Sequence, residues 1–150
     1  MLKPKVLFLC TGNSARSQMA EGYLRHQAAD RYQALSAGIE PKSLNPLAVE
    51  AMREVGIDIS GQRPKDVRDL LGEAIQYVVT VCDHAREHCP IFPGTYKFLH
   101  WSLDDPAAMV GSHEEKLAVF RLVRDKLMRR IEEEFLASSV PVAGRATSRH

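Results

Sequence analysis

Cys10 and Arg16 bracket the run Thr11-Gly12-Asn13-Ser14-Ala15, and Ser17 follows directly. These residue types suit an oxyanion. Gly12 and Asn13 tolerate the positive backbone angles of a tight loop. The amides of such a loop, from Thr11 through Ser17, can converge on a tetrahedral anion at the start of a following helix, where the helix dipole favours negative charge. Arg16 adds a planar, two-pronged clamp. The same field favours the thiolate of Cys10, with the Ser17 hydroxyl as a further donor. A sulfur nucleophile would then lie at the floor of an anion cradle. Spacing alone leaves the plainer reading ahead, a strand-end cysteine beside a surface arginine. The segment is neither a Walker loop, whose Gly-Lys-Ser/Thr ending is missing, nor a dinucleotide fingerprint.

Such a cradle needs a strand before it and a helix after it, and the sequence supplies both. Lys5–Cys10 is an apolar run of the kind buried on both faces of a sheet, and Ser17–Ala29 carries Met19, Ala20, Tyr23 and Leu24 at helical spacing. Ala34–Ala37, closed by Gly38, reads as a second strand. Asn45-Pro46 opens a helix with Asn as cap and Pro at the first helical position, and Gly56 stops it. A short helix is expected over Pro64–Leu71, a third strand over Tyr77–Val81 and a fourth over Lys97–Trp101. Ser112 to Glu115 matches a capping box ahead of a stripe of Phe120, Val123, Leu127 and Ile131. Strands alternating with helices predict an α/β fold, a doubly wound four-stranded parallel sheet with helices on both faces. Sites in such folds lie beyond the carboxyl ends of the strands, where Cys10 stands.

The chain has 150 residues, 45% hydrophobic and 26% charged, which fits one domain over residues 1–137. From Ser138 to His150 periodicity is lost, and a disordered tail is expected. Lys plus Arg number 20 against 19 for Asp plus Glu, so no strong field argues for nucleic acid or a membrane as partner. No apolar stretch approaches a membrane span and none reads as a secretory signal, so a cytoplasmic protein is expected. Three cysteines are too few and odd in number for a disulfide scaffold. In a reducing compartment they are inert core thiols or working ones.

Cys82 ends the third predicted strand, and Cys89 follows across the polar segment Asp83-His84-Ala85-Arg86-Glu87-His88. Two Cys with His84 and His88 could complete a zinc site, but the spacing matches no common zinc module. The two histidines read more simply as one solvated helical face, and no metal site is assigned. Trp101 reads as core or pocket wall, and Arg129–Glu134 as solvated surface. Asp105 follows the fourth predicted strand and can reach the same sheet edge as Cys10, although as a residue type it more often caps the next turn.

The run from Val6 to Gly22 resembles the signature of the low-molecular-weight tyrosine phosphatase fold, in the form carried by the arsenate reductases that share it. The resemblance continues through Ser36-Ala37-Gly38-Ile39, Asn45-Pro46, Ile57-Asp58-Ile59-Ser60, Val79-Thr80-Val81-Cys82, Cys89-Pro90 and His100 to Ala107. It implies that Cys10 attacks arsenate, that Cys82 attacks the Cys10 adduct and releases arsenite, and that Cys89 takes Cys82 into a second disulfide. Asp105, ahead of Pro106, would be the general acid. No bound cofactor is implied; electrons would come from thioredoxin, or from glutaredoxin with glutathione, and phosphate and sulfate would compete with arsenate.

The alternative is a tyrosine phosphatase in which Cys82 and Cys89 protect Cys10 from over-oxidation. Ala107, where phosphatases of this fold carry an aromatic residue against the tyrosine ring, counts against it. A non-catalytic thiol sensor or anion-binding module is a third reading. Some of these reductases hold potassium through residues matching Asn13, Glu21 and Ser36 with a further acid. Lys65 stands where that acid is expected, so its ammonium can take the cation's role and a potassium requirement is doubtful. A monomer is expected. Length adds one constraint: a regular helix from Cys82 to Cys89 would separate their α-carbons by roughly 10 Å, beyond the about 4.4–6.8 Å of a disulfide. That helix must open for the bond to form.

Overall fold

The structure, a computed structural model, describes residues 2–137. The expected tail, 138–150, lies outside the described residues. Strands β1 (Lys5–Cys10), β2 (Gln33–Gly38), β3 (Tyr77–Thr80) and β4 (Lys97–His100) alternate with helices α1 (Arg16–Ala28), α2 (Pro46–Arg53), α3 (Asp83–Glu87) and α4 (His113–Ile131). The sheet is parallel throughout, in the order β2-β1-β3-β4. This is the expected doubly wound α/β architecture.

The apolar run of β1 is buried on both faces, as its lack of alternation predicts. Val6 and Phe8 pack with Met19 and Leu24 of α1, Met52 of α2, and Phe120 and Leu127 of α4. Leu7 and Leu9 point the other way, into a smaller core with Val78, Ala85 of α3 and Phe92. Trp101 is a core residue, 6.0 Å by ring centroids from Phe8. The expected cap signals are in place: Asn45 Oδ1 accepts from the Leu47 amide at 2.8 Å, and Ser112 with Glu115 forms the capping box. Among the described residues no helix is long and apolar enough to cross a membrane.

One expectation needs correction and one needs completing. The helix expected over Pro64–Leu71 is only a 3₁₀ turn, Val67–Leu70, because Lys65 and Asp66 are drawn out along the end of β2. The Gly38 amide donates to the Lys65 carbonyl at 2.8 Å, and Asp66 bridges Gly38. The charged run Arg129–Glu134 is exposed as expected except for the buried Ile131 and half-buried Glu134, and what the expectation lacked is its contacts. Arg130 lies 5.4 Å from the Trp101 ring centre, Glu132 accepts from the Tyr23 hydroxyl, and Glu134 pairs with Lys97 at 3.0 Å. Long side chains at the end of α4 thus lie back over the body of the protein.

Candidate active site

Cys10 is the last residue of β1 and is 3% exposed. Its sulfur accepts from the Asn13 amide at 3.2 Å and lies 2.8 Å from the Ser17 hydroxyl. Asn13 is the pivot of the loop, with φ of 49°, the αL region that Asn enters more readily than most residues. Its Nδ2 donates to Ser17 Oγ at 2.8 Å, while its Oδ1 accepts from the Lys65 amide at 2.7 Å and from Gln18 at 3.2 Å. Gln18 also donates to the Asn13 carbonyl at 3.0 Å. From the β2 side, a Cβ on Gly38 would stand 2.7 Å from the Thr11 carbonyl oxygen and 2.9 Å from the Asn13 nitrogen. Only glycine lets β2 and the loop approach this closely. Gly12, by contrast, does not take the expected positive φ; the turn is made by Asn13 alone, and the Lys42 stem lies over Gly12.

Helix α1 begins at Arg16 with Ala15 as its cap residue, no side-chain cap and no acid in its first turn. Its leading amides are therefore left for a ligand. The Arg16 side chain is 11% exposed. One guanidinium nitrogen donates to the Leu103 carbonyl at 2.9 Å and the Val81 carbonyl at 3.4 Å. Nε is buried with no partner. A buried, unpaired donor on a cation is what an arriving oxyanion would satisfy. Asp105 stands 4.0 Å from the other guanidinium nitrogen, and its carboxylate also accepts from the Ala107 amide at 3.0 Å. The cap reading of Asp105 is what the structure shows. It caps the Pro106–Ala108 turn, and that cap aims it at Arg16.

Strand β3 lies next to β1 and ends at Thr80, two residues short of Cys82, so the expected strand-end cysteine is instead the cap of α3 at the same sheet edge as Cys10. The Cys82 sulfur is 3.4 Å from the Thr11 hydroxyl and accepts from the Ala85 amide at 3.4 Å as the cap of α3. Cys89 lies beyond α3, half-buried, with its thiol donating to the Pro90 carbonyl at 3.4 Å. Burial pushes that thiol up to about 11. All three cysteines are free thiols. The expected solvated face of His84 and His88 is half turned in: the rings stack at 4.2 Å, and His84 Nε2 is buried without a partner.

Glu21 is buried beside this loop and accepts from the Ser36 hydroxyl. Arg25 pairs with it, and the Lys65 ammonium lies 3.5 Å from Oε1. The expected ammonium is therefore at the acid.

The structure brings Cys10, the Thr11–Ser17 loop, Arg16, Cys82 and Asp105 to one sheet edge, with Cys89 at the far end of α3. Sequence reasoning passed over Gln18, the backbone amide of Lys65, and the Leu103 and Val81 carbonyls. A fully buried Gln18 amid the apolar residues of α1 was the one available signal.

Residues 5–140 match the family described as low molecular weight phosphotyrosine protein phosphatase. The chain is 48% identical over 132 residues to an arsenate reductase of Halalkalibacterium halodurans, covering 88% of this chain and 95% of that protein. Among solved structures it is similar to an arsenate reductase in the phosphate binding state, with TM-score 0.73 and 33% identity over 90% of this chain and 98% of that one. It also resembles the thioredoxin-dependent arsenate reductase of Corynebacterium glutamicum, with TM-score 0.62 and 32% identity over 87% of this chain and 63% of that one. The chain belongs to the low molecular weight phosphotyrosine protein phosphatase family, and its close relatives there are arsenate reductases.

Proposed function

We propose that the protein reduces arsenate to arsenite by a relay of three thiols. The Cys10 thiolate displaces an oxygen from arsenic, with Arg16 and the loop amides holding the remaining oxygens and Asp105 protonating the one that leaves. Cys82 then attacks the Cys10 sulfur. The sulfur–arsenic pair of electrons goes to arsenic, arsenite departs, and a Cys10–Cys82 disulfide remains. Cys89 attacks Cys82, freeing Cys10. A cellular dithiol, thioredoxin or a glutaredoxin with glutathione, reduces the Cys82–Cys89 bond.

The observation that carries this reading is the Cys82 sulfur, held at the Thr11 hydroxyl beside the Cys10 loop. A phosphatase needs no second thiol there. The Lys65 ammonium at Glu21 supports activity without an added potassium ion. The reading places the work in the cytoplasm and in a monomer, within residues 1–137.

Arsenate-dependent NADPH oxidation, coupled separately through thioredoxin and glutaredoxin, tests the proposal beside aryl-phosphate hydrolysis. Cys82→Ser and Cys89→Ser should each stop arsenate turnover and leave hydrolysis largely intact, since water resolves a phospho-enzyme. Equal losses in both reactions would overturn the relay. The second reading, a phosphatase acting through a Cys10 phospho-enzyme, rests on the same cradle of Cys10, Arg16 and Asp105. It predicts hydrolysis that greatly exceeds any arsenate turnover.

A further inference from the structure

The short helix that Cys82 caps is tied to β4 through an imidazole. Thr80 and His100 are register partners across β3 and β4. The Thr80 hydroxyl, fully buried, lies 2.7 Å from His100 Nδ1. On the other side of the ring, His100 Nε2 lies 3.1 Å from Asp83 Oδ1. The carboxylate can only accept, so Nε2 carries a proton, and in the neutral ring Nδ1 then accepts from Thr80. The imidazole side chain is 14% exposed and its carboxylate partner 65% exposed. Asp83 is the first residue of α3 and follows Cys82 directly.

The other anchors of α3 are one core side chain, the half-buried His84 and the helix cap. It has five residues, of which only Ala85 is buried, and its cap is the Cys82 sulfur itself. Once Cys82 leaves to form a disulfide, the cap is gone. The spacing argument then applies: the helical separation of Cys82 and Cys89, roughly 10 Å, must shrink to about 4.4–6.8 Å, so the first turn of α3 cannot keep its place. The bond from His100 to Asp83 is present in this structure, where all three cysteines are free.

We propose that His100 is a positioning residue for the second thiol. Through Asp83 it fixes the first turn of α3 so that Cys82 stays at the Thr11 hydroxyl, and it thereby stabilises the dithiol form against the Cys82–Cys89 disulfide. Thr80 orients the ring from below. The proposal rests on the thiol relay, because only there must α3 open and close in each turnover. In the exchange that reads it, oxidised dithiothreitol accepts two electrons and two protons, and the Cys82 and Cys89 thiols become one disulfide.

The test is the equilibrium of the full-length protein with oxidised and reduced dithiothreitol, with the Cys82–Cys89 bond quantified by mass spectrometry after acid quenching. Losing one largely exposed hydrogen bond from the reduced state alone, at the scale of an ordinary net bond, should raise the disulfide formation constant about fivefold in Asp83→Ala. That corresponds to a potential ~20 mV more negative, at about 30 mV per tenfold. His100→Ala should give a similar shift, and the double variant no more than either single one, since the two residues form one contact. Asp83→Asn, which keeps an acceptor for Nε2, should remain near the parent, as should Arg86→Ala, whose side chain pairs with Asp83 at 3.5 Å within the helix. Aryl-phosphate hydrolysis should be unchanged in Asp83→Ala, an exposed position where folding is not at risk. An unchanged equilibrium in Asp83→Ala, or additive shifts in the double variant, would overturn the tether while leaving the relay standing. Failure of the parent protein to form any Cys82–Cys89 bond would overturn the relay and the tether together.

Discussion

The Ser17 hydroxyl lies 2.8 Å from the Cys10 sulfur, and the same oxygen accepts from Asn13 Nδ2 at 2.8 Å. Asn13 occupies one lone pair of the hydroxyl and leaves its proton free to turn toward the sulfur. In the proposed reaction that proton would support the Cys10 thiolate, from a hydroxyl placed by the loop's own pivot residue. Ser17→Ala should lower both arsenate turnover and aryl-phosphate hydrolysis by roughly tenfold to a hundredfold, the scale of a lost hydrogen bond to a charged group. Cys10→Ser should abolish both. Parallel steady-state assays of the two reactions check this, and a Ser17→Ala variant at parental rate would remove the hydroxyl from the thiolate's support.

Arg16 has a buried Nε without a partner, so an oxyanion should be bound at low cost. Sulfate, phosphate and arsenate should each raise the melting temperature of the reduced protein, because a ligand that binds only the folded state stabilises it by mass action. At a ligand concentration about a hundredfold above Kd the gain is on the order of 2.7 kcal/mol. Arg16→Ala should abolish most of the shift. Retention of the full shift in differential scanning fluorimetry would place the anion elsewhere.

Asp105 is held by the Ala107 amide and faces Arg16 at 4.0 Å. Asp105→Asn keeps an oxygen for the cap but has no proton to give. Its kcat should fall by roughly 10²-fold or more with anion binding little altered, the usual size of a general-acid contribution. A near-parental kcat would leave Asp105 as a cap only.

Burial raises the Cys89 thiol from its usual value near 9 to about 11. The folded chain therefore holds the thiol proton more tightly than the unfolded chain. The stability this contributes is present below about pH 9 and is lost as pH rises toward about 11. Alkylation of Cys89 by iodoacetamide in the native reduced protein should keep rising toward pH 11, while the unfolded protein levels off above 9. Mass spectrometry of the labelled peptide gives both curves. A native plateau near pH 9 would show that Cys89 is solvated before α3 opens.

The strand, loop and helix around Cys10 were legible because each signal is local. The apolar run of β1, Asn13 at the turn and Arg16 at the helix start lie within one stretch of chain. Pro64–Leu71 was misread for the opposite reason: its composition permits a helix, but Asp66 is captured by Gly38 from another strand. Gly12 and Asn13 were equally plausible at positive φ, and only the crowding at Gly38 and the bonds to Asn13 show which one turns. The contact of Thr80, His100 and Asp83 joins three elements, so no spacing in the sequence announces it. Asp105 was readable as cap or acid; that one carboxylate serves the cap while facing Arg16 is a matter of three-dimensional placement.

The bonds that shape the cradle reach far along the chain. Asn13 is tied to the Lys65 amide across 52 positions, and Arg16 to the Leu103 carbonyl across 87. Long loops must close before such contacts form, which places them late in folding. During synthesis, a chain that has emerged only through β2 carries the whole run from Cys10 to Ser17 but lacks the Lys65 amide that holds Asn13 Oδ1 and the Val81 and Leu103 carbonyls that hold Arg16. Under the proposed reaction, the Arg16 side chain is fixed for an oxyanion only after the segment through Leu103 has been synthesised, in a chain that has nearly finished folding.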